Sequence, residues 1–242
     1  MQYLLTELST HIDMGFGVTA DAFREAAEFL NNAEQYKKSA LQQIDMPIHY
    51  LYRHSIELYL KSLIIIFHRR LKLPYGKESF DSKPKILVDN KWKDLDRCHY
   101  IDSLYLYWSS LFTKNLPSLK ILAPQGDWQI PPSFAKHIPL ICKYDKYSTY
   151  FRYPITRNAI LDSAKHSMKR FSPEELADLL QDTSKNKPKE FILAIKNERG
   201  EIIDAFRKDH TCLKDLLEAL KEISYWLCCM HVMIRMRLCS GL

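Results

Sequence analysis

Residues 48–71 place the tightest limit on what this chain can become. Ile48, Leu51, Tyr52, Ile56, Tyr59 and Leu63 recur at helical spacing, and Leu63-Ile64-Ile65-Ile66-Phe67 is apolar on every side. Asp45 can cap such a helix and Pro47 suits its first turn. A helix that is greasy all round must be surrounded, so the spacing predicts the central member of a helical bundle. Along it His49, Arg53, Glu57 and Lys61 stand four residues apart, with His54 beside them. Charged groups on a buried helix need partners, because unpaired buried charge is costly. Two readings are open: an i,i+4 ion ladder answered by neighbouring helices, or the floor of a polar pocket.

The remaining sequence also favours helices. Only 6 glycines occur in 242 residues, the closest pair being Gly15-Phe16-Gly17. A Rossmann or P-loop site needs clustered glycines so that backbone N–H groups can approach phosphates, and sheets with many tight turns are disfavoured for the same reason. A first helix is predicted over 19–32, with Thr19 as cap, Asp21 at its positive end and Phe23, Ala26, Ala27 and Leu30 as its apolar stripe. A short helix can precede Asp13. After a loop through Pro74, Gly76 and Pro84, a helix is expected over 93–115, then an irregular stretch from Pro117 to Pro132 and a helix over 132–150. Pro154 forces extended backbone at Tyr153.

Ser172-Pro173-Glu174-Glu175 has the capping signature of a short helix reaching about 181, with an exposed loop at 183–189. Residues 191–195 and 201–206 flank Asn197-Glu198-Arg199-Gly200 and read as the one convincing β-hairpin. It must pack on the helices or gain a strand near 159–161. In the last helix, over 211–238, Leu213, Leu217, Leu220, Ser224, Leu227, His231, Ile234 and Leu238 alternate in steps of four and three. That seam is either core or a subunit interface. The expected fold class is mainly α: an up-and-down helical bundle forming one domain over 1–242, with a β-hairpin appendage at 183–208.

Net charge is +6, from 35 basic and 29 acidic side chains, which permits a nucleic-acid partner without demanding one. Between 136 and 170, Lys136, Lys143, Lys146, Arg152, Arg157, Lys165, Lys169 and Arg170 interleave with Tyr144, Tyr147, Tyr150, Phe151 and Tyr153. Cations among aromatic rings suit phosphate contact with base stacking, although Lys and Tyr stems also cover ordinary amphipathic helices. The start of the chain lacks a signal-peptide pattern. The longest apolar run, 63–67, falls far short of the roughly 20 residues of a membrane span. A soluble, cytoplasmic protein without a membrane partner is expected. None of the 6 cysteines has C-x-x-C spacing, so they read as reduced thiols, with Cys228-Cys229 as buried helix filler. No His-x-x-x-His spacing and no Gly-x-Ser-x-Gly elbow occurs. No metal and no cofactor is expected.

Tyr52-Arg53-His54-Ser55-Ile56-Glu57-Leu58-Tyr59-Leu60-Lys61-Ser62-Leu63 resembles the first core helix of HEPN-like (higher eukaryotes and prokaryotes nucleotide-binding) bundles, where His or Arg-His precedes an aliphatic-Glu-Leu-x-Leu-Lys pattern. Leu95-Asp96-Arg97-Cys98-His99-Tyr100-Ile101-Asp102-Ser103-Leu104 is similar to a helix opening in such proteins, and Phe151-Arg152-Tyr153-Pro154 to an extended segment of some larger bacterial members. The likeness spans 20–238 in architecture but is carried by these short motifs. It implies an all-helical, commonly dimeric bundle. Members are metal-independent ribonucleases of toxin–antitoxin or phage-defence systems, or non-catalytic RNA- or nucleotide-binding modules. Catalytic members follow an Arg with a polar residue and, after four to six intervening positions in all, a His, His handling the 2′-hydroxyl proton and Arg the developing charge. No arginine here has that spacing. Eight residues separate Arg157 from His166, Arg53 adjoins His54, Arg97 precedes His99 by two and Arg207 precedes His210 by three.

The resemblance and the charge pattern together lead to an RNA- or nucleotide-binding protein of a bacterial stress or defence system, with Arg53, Glu57, Lys61, Arg152 and Arg157 at its binding site. An atypical metal-independent ribonuclease would instead use His54 or His166 as base with Arg53 or Arg157. A third reading is an interaction or scaffold module whose last helix and hairpin form the interface. A homodimer, and a protein partner such as an antitoxin, are the expected assemblies.

Overall fold

The computed structural model describes residues 2–33, 45–181, 192–209 and 213–240. Among these, seven α-helices and two small antiparallel sheets form. In chain order they are α1 (Phe16–Asn32), α2 (Asp45–Arg70), β1 (Lys85–Val88), β2 (Lys91–Asp94), α3 (Ile101–Leu122) and α4 (Phe134–Asp145). Then follow α5 (Ala159–Ser163), β3 (Met168–Arg170), α6 (Pro173–Gln181), β4 (Ile192–Lys196), β5 (Ile202–Lys208) and α7 (Lys214–Leu238). Short 3-10 turns at Gln2–Leu5 and Leu8–Thr10 precede α1.

The apolar stretch is central, as its all-round hydrophobicity requires. Ile56, Tyr59, Leu60 and every residue from 63 to 67 are solvent-free, and α2 packs against α1, α3 and α7. Leu220, Ser224, Leu227, His231 and Ile234 of the α7 seam are likewise buried within this chain, which makes the seam intramolecular core. Where α2 meets α7, the Ser55 and Ser224 hydroxyls bond at 2.7 Å with no solvent access. Trp108 of α3, Phe134 of α4 and Trp226 of α7 form an aromatic corner, with ring centroids 5.1 Å apart for Phe134–Trp226 and 5.9 Å for Trp108–Trp226.

Helix α1 begins at Phe16 and not at Thr19, because Asp13 caps it. Its carboxylate accepts the backbone N–H groups of Gly15 (3.2 Å) and Gly17 (2.9 Å). The same carboxylate accepts Ser62 Oγ of α2 at 2.5 Å and the Arg235 guanidinium of α7. Burial alone would raise the Asp13 carboxyl, but the His231 hydrogen bond and the Arg235 charge hold it well below the usual range. Gly17 sits where a side chain would crowd the network: a Cβ there would lie 2.0 Å from His231 Nε2 and 2.8 Å from Asp13 Oδ2.

Several expected boundaries are corrected. The loop before 93 contains a second hairpin, β1–β2, with Ile86 opposite Lys93 and Leu87 opposite Trp92. Asp89 and Asn90 both take positive φ (51° and 59°), which matches the twist of a two-residue hairpin. Residues 91–94 are therefore strand, and α3 starts at Ile101, continuing through Pro117 to Leu122. Helix α4 stops at Asp145, short of 150. Residues 159–161 open the short helix α5, with Asn158 Oδ1 accepting Leu161 N–H at 3.1 Å, in place of a strand.

The expected β4–β5 hairpin is present and takes β3 as its third strand, in the order β3-β5-β4. Residue 191, the loop at 183–189 and residues 211–212 lie outside the described residues. Helix α6 starts with the expected reciprocal cap: Ser172 Oγ accepts Glu175 N–H at 3.1 Å and Glu175 Oε2 accepts Ser172 N–H at 2.9 Å. Among the described residues no helix is long and apolar enough to cross a membrane.

Candidate nucleic-acid interface

The polar stripe of α2 folds into a closed ionic network. Arg53 donates to the Glu57 carboxylate one turn on and to the His99 backbone carbonyl, and its Nε lies 2.9 Å from Asp145 Oδ2 of α4. Lys61 Nζ donates to Glu57 Oε1 at 2.8 Å and to the Asp96 carbonyl at 3.2 Å. Arg53, Glu57, Lys61 and Asp145 are all buried. The ion-ladder reading therefore describes them, with the answering groups on α4 and on the segment that leads into α3. Burial would raise the Glu57 carboxyl, yet Arg53 and Lys61 with the hydrogen bonds from Lys61 and His99 hold it at about 2. Burial pushes the Asp145 carboxyl up, against the pull of Arg53.

One member of the network reaches the surface. His99 Nδ1 lies 2.8 Å from Glu57 Oε1, while the His99 side chain is 46% exposed. A carboxylate this acidic only accepts, so Nδ1 carries a proton and donates it to Glu57. Beside it Tyr100 and Tyr147 meet edge to face at 6.0 Å, both largely exposed. The Lys146 ammonium sits 5.8 Å from the Tyr147 ring centre. A cleft of about 300 Å3 adjoins them, lined by Lys93, Arg97, Cys98 and Tyr100 among others. A fixed imidazole, exposed rings and mobile cations are groups that can stack on a base and pair with a phosphate.

The other predicted residues are placed differently. His54 points toward α1, its ring edge-on to Phe23 at 4.5 Å and stacked on Tyr50 at 5.6 Å. Burial lowers its pKa, with the Glu57 charge opposing. It thus lies apart from the partners of Arg53, as the roughly 100° turn between successive helical residues requires. His49 is buried and stacked on Phe151 at 5.4 Å.

Arg152 and Arg157 are exposed, as is His166, and Arg152 also donates to Ser148 Oγ. Lys165, by contrast, is committed inside the molecule. Its Nζ binds Asp162 Oδ1 (2.7 Å) and the Tyr153 carbonyl (2.8 Å) over the Tyr150 ring. Tyr150 and Phe151 are buried as well, which leaves Tyr147 and Tyr153 as the open rings of that segment.

Sequence reasoning read His99 as part of a helix face. It lies just before α3, and nothing local signals its link to Glu57, 42 residues away. Cys229 is exposed, which corrects its reading as buried filler. Among the described residues no group of three or more His, Cys, Asp or Glu side chains is placed to hold a metal ion. No family model matches this chain, and no curated protein or solved structure shows significant similarity to it.

Proposed function

We propose that this chain is a cytoplasmic HEPN-like helical bundle that binds RNA or a nucleotide on the face around His99, in a bacterial stress or defence setting. The observation that carries this reading is the half-exposed His99 imidazole, anchored through Glu57 to a buried ionic network and flanked by Arg97, Tyr100, Lys146 and Tyr147. The buried Arg53, Glu57 and Lys61 serve this site by positioning His99, and the exposed Arg152 and Arg157 extend its charge. Fluorescence anisotropy with a single-stranded RNA oligonucleotide tests it. Binding should weaken steeply with salt, and Arg97→Ala should flatten the salt slope by about 0.7, the value for one phosphate contact to a single strand. Loss of binding in His54→Ala with full binding in His99→Ala would refute the placement.

The Glu57–His99 pair also favours metal-independent cleavage of RNA, because a carboxylate that fixes the imidazole tautomer leaves Nε2 ready to take a 2′-hydroxyl proton. Cleavage in the presence of EDTA, abolished by His99→Ala while binding persists, would support this second reading. Binding without turnover under the same conditions would remove it.

A further inference from the structure

The composition of α7 is at odds with its exposure. Residues 223–234 contain no Asp, Glu, Lys or Arg, a stretch of more than three helical turns. One side of it is core, through Ile223, Leu227, Met230 and Ile234. The opposite side turns Tyr225, Cys229 and Val232 to solvent, and the row continues to Met236; Tyr225 is 63% exposed and Met236 48%. A surface helix ordinarily sets charged side chains toward water, whereas a helix without them on any side is enclosed, as α2 is in this molecule. Apolar residues scattered singly over a surface need no explanation. These lie in one continuous row along a single helix.

The row is complementary to itself. Its members are spaced by four, three and four residues, the spacing of a coiled-coil seam, and that order reads the same in both directions. An antiparallel second copy therefore sets Tyr225 against the partner's Met236 and Cys229 against the partner's Val232, with a twofold axis passing between residues 230 and 231. Charge selects this direction over a parallel one. Glu218 and Glu222 stand at the N-terminal end of the row and Arg237 beside its C-terminal end, all three exposed. Glu222 is held there by Ser133 Oγ at 2.5 Å and His137 Nε2 at 3.0 Å, with its side chain 49% exposed. Antiparallel packing brings Glu222 within one turn of the partner's Arg237 on each half of the interface, and it opposes the two helix dipoles. Parallel packing would set acid against acid and base against base. Tyrosine and methionine at the centre, with charge kept to the rim, is also the composition of interface cores.

We propose that the chain forms a homodimer through the outer face of α7, the two helices packed antiparallel about a twofold axis. Analytical ultracentrifugation of the full chain tests it, and a concentration-dependent rise to twice the monomer mass is expected. Val232→Glu puts two carboxylates beside the axis and should weaken association about a hundredfold. Its far-ultraviolet circular-dichroism spectrum should match wild type, because Val232 faces solvent in the single chain. Oxidative cross-linking in a Cys229→Ser background reads the direction. Tyr225→Cys combined with Met236→Cys should give a covalent dimer, and Tyr225→Cys alone should give none. A monomeric mass up to about 0.1 mM would overturn the proposal and leave this face to a different protein. A dimer that Val232→Glu leaves intact would place the interface elsewhere, and cross-linking by Tyr225→Cys alone would make the pairing parallel; either result overturns the proposal as well.

Discussion

Glu57 receives three donors, from Arg53, Lys61 and His99, in a site with almost no solvent. Removing its charge leaves buried Lys61 without its anion and Arg53 with Asp145 alone. Glu57→Gln should therefore cost about 3–5 kcal/mol, read as a lower urea midpoint. Acid should act on the same group. A carboxyl held at about 2 against an ordinary 4.5 contributes stability that is fully present above pH 4.5 and is lost as pH falls toward 2. By the size of that shift the loss is about 3 kcal/mol. In Glu57→Gln this part of the acid dependence should vanish, and an unchanged slope between pH 5 and 3 would contradict the role given to the carboxylate.

Two glycines make a second residue-scale contrast. Gly17→Ala drives a Cβ into His231 and should destabilise by about 1–3 kcal/mol through overpacking. Gly200→Ala meets open space, but its φ of +78° makes it strained, at about 1–2 kcal/mol. The causes differ, overpacking against His231 and Asp13 in the first and backbone strain in the second, and each should lower the thermal midpoint.

The C-terminal end of α2 is tied to the next loop by His68. Its Nδ1 lies 2.7 Å from the Leu73 carbonyl and its Nε2 lies 2.9 Å from the Tyr107 hydroxyl, and its ring stacks on Tyr75 at 4.0 Å. The neutral ring satisfies both contacts, donating to the carbonyl and accepting from the hydroxyl. Burial lowers its pKa below 6.5, with the Leu73 carbonyl opposing. A histidine lowered on folding gives stability present above pH 6.5 and lost as pH falls below it. The urea midpoint should therefore decline between pH 6.5 and 5. His68→Gln should reduce that slope without abolishing it, since His54 titrates with the same sign; an unchanged slope would assign the loss elsewhere.

At this scale, what the sequence revealed depended on how local the cause was. Helix α2 and helix α6 were legible because cap, proline and periodicity lie within each segment. The β1–β2 hairpin was missed although Asp89-Asn90 is a turn signal, because Pro74, Gly76 and Pro84 just before it mark the stretch as loop. The start of α1 was misplaced because Asp13 answers to Ser62 and Arg235, the latter 222 positions away. The charged stripe showed that partners were required, but not that Asp145 and the backbone before α3 would supply them.

Two ionic knots brace the molecule. One joins Asp13 to α2 and α7, and the other joins α2 to α4 and to the segment before α3. Replacing a complete buried ion cluster by apolar side chains is often neutral or stabilising, by about 1–4 kcal/mol. Combined Arg53→Met, Glu57→Leu, Lys61→Met and Asp145→Leu changes should thus preserve the fold while freeing the His99 ring from its carboxylate. If Glu57 exists to aim that ring, RNA affinity should fall at least tenfold in a chain that melts no lower than wild type. Retained affinity would mean that the network is purely architectural.

The serine pair between α2 and α7 has its own consequence. Both helices are long, and their facing surfaces are dominated by interchangeable aliphatic groups. Sliding one past the other by a single turn, 5.4 Å, would set a leucine or a cysteine opposite Ser55, whose hydroxyl keeps the Tyr52 carbonyl of its own helix, and would take from Ser224 its partner in hydrocarbon, at about 1–3 kcal/mol. That pair works as a notch and key: it adds little grip, and it makes every misaligned docking of the two rods unfavourable.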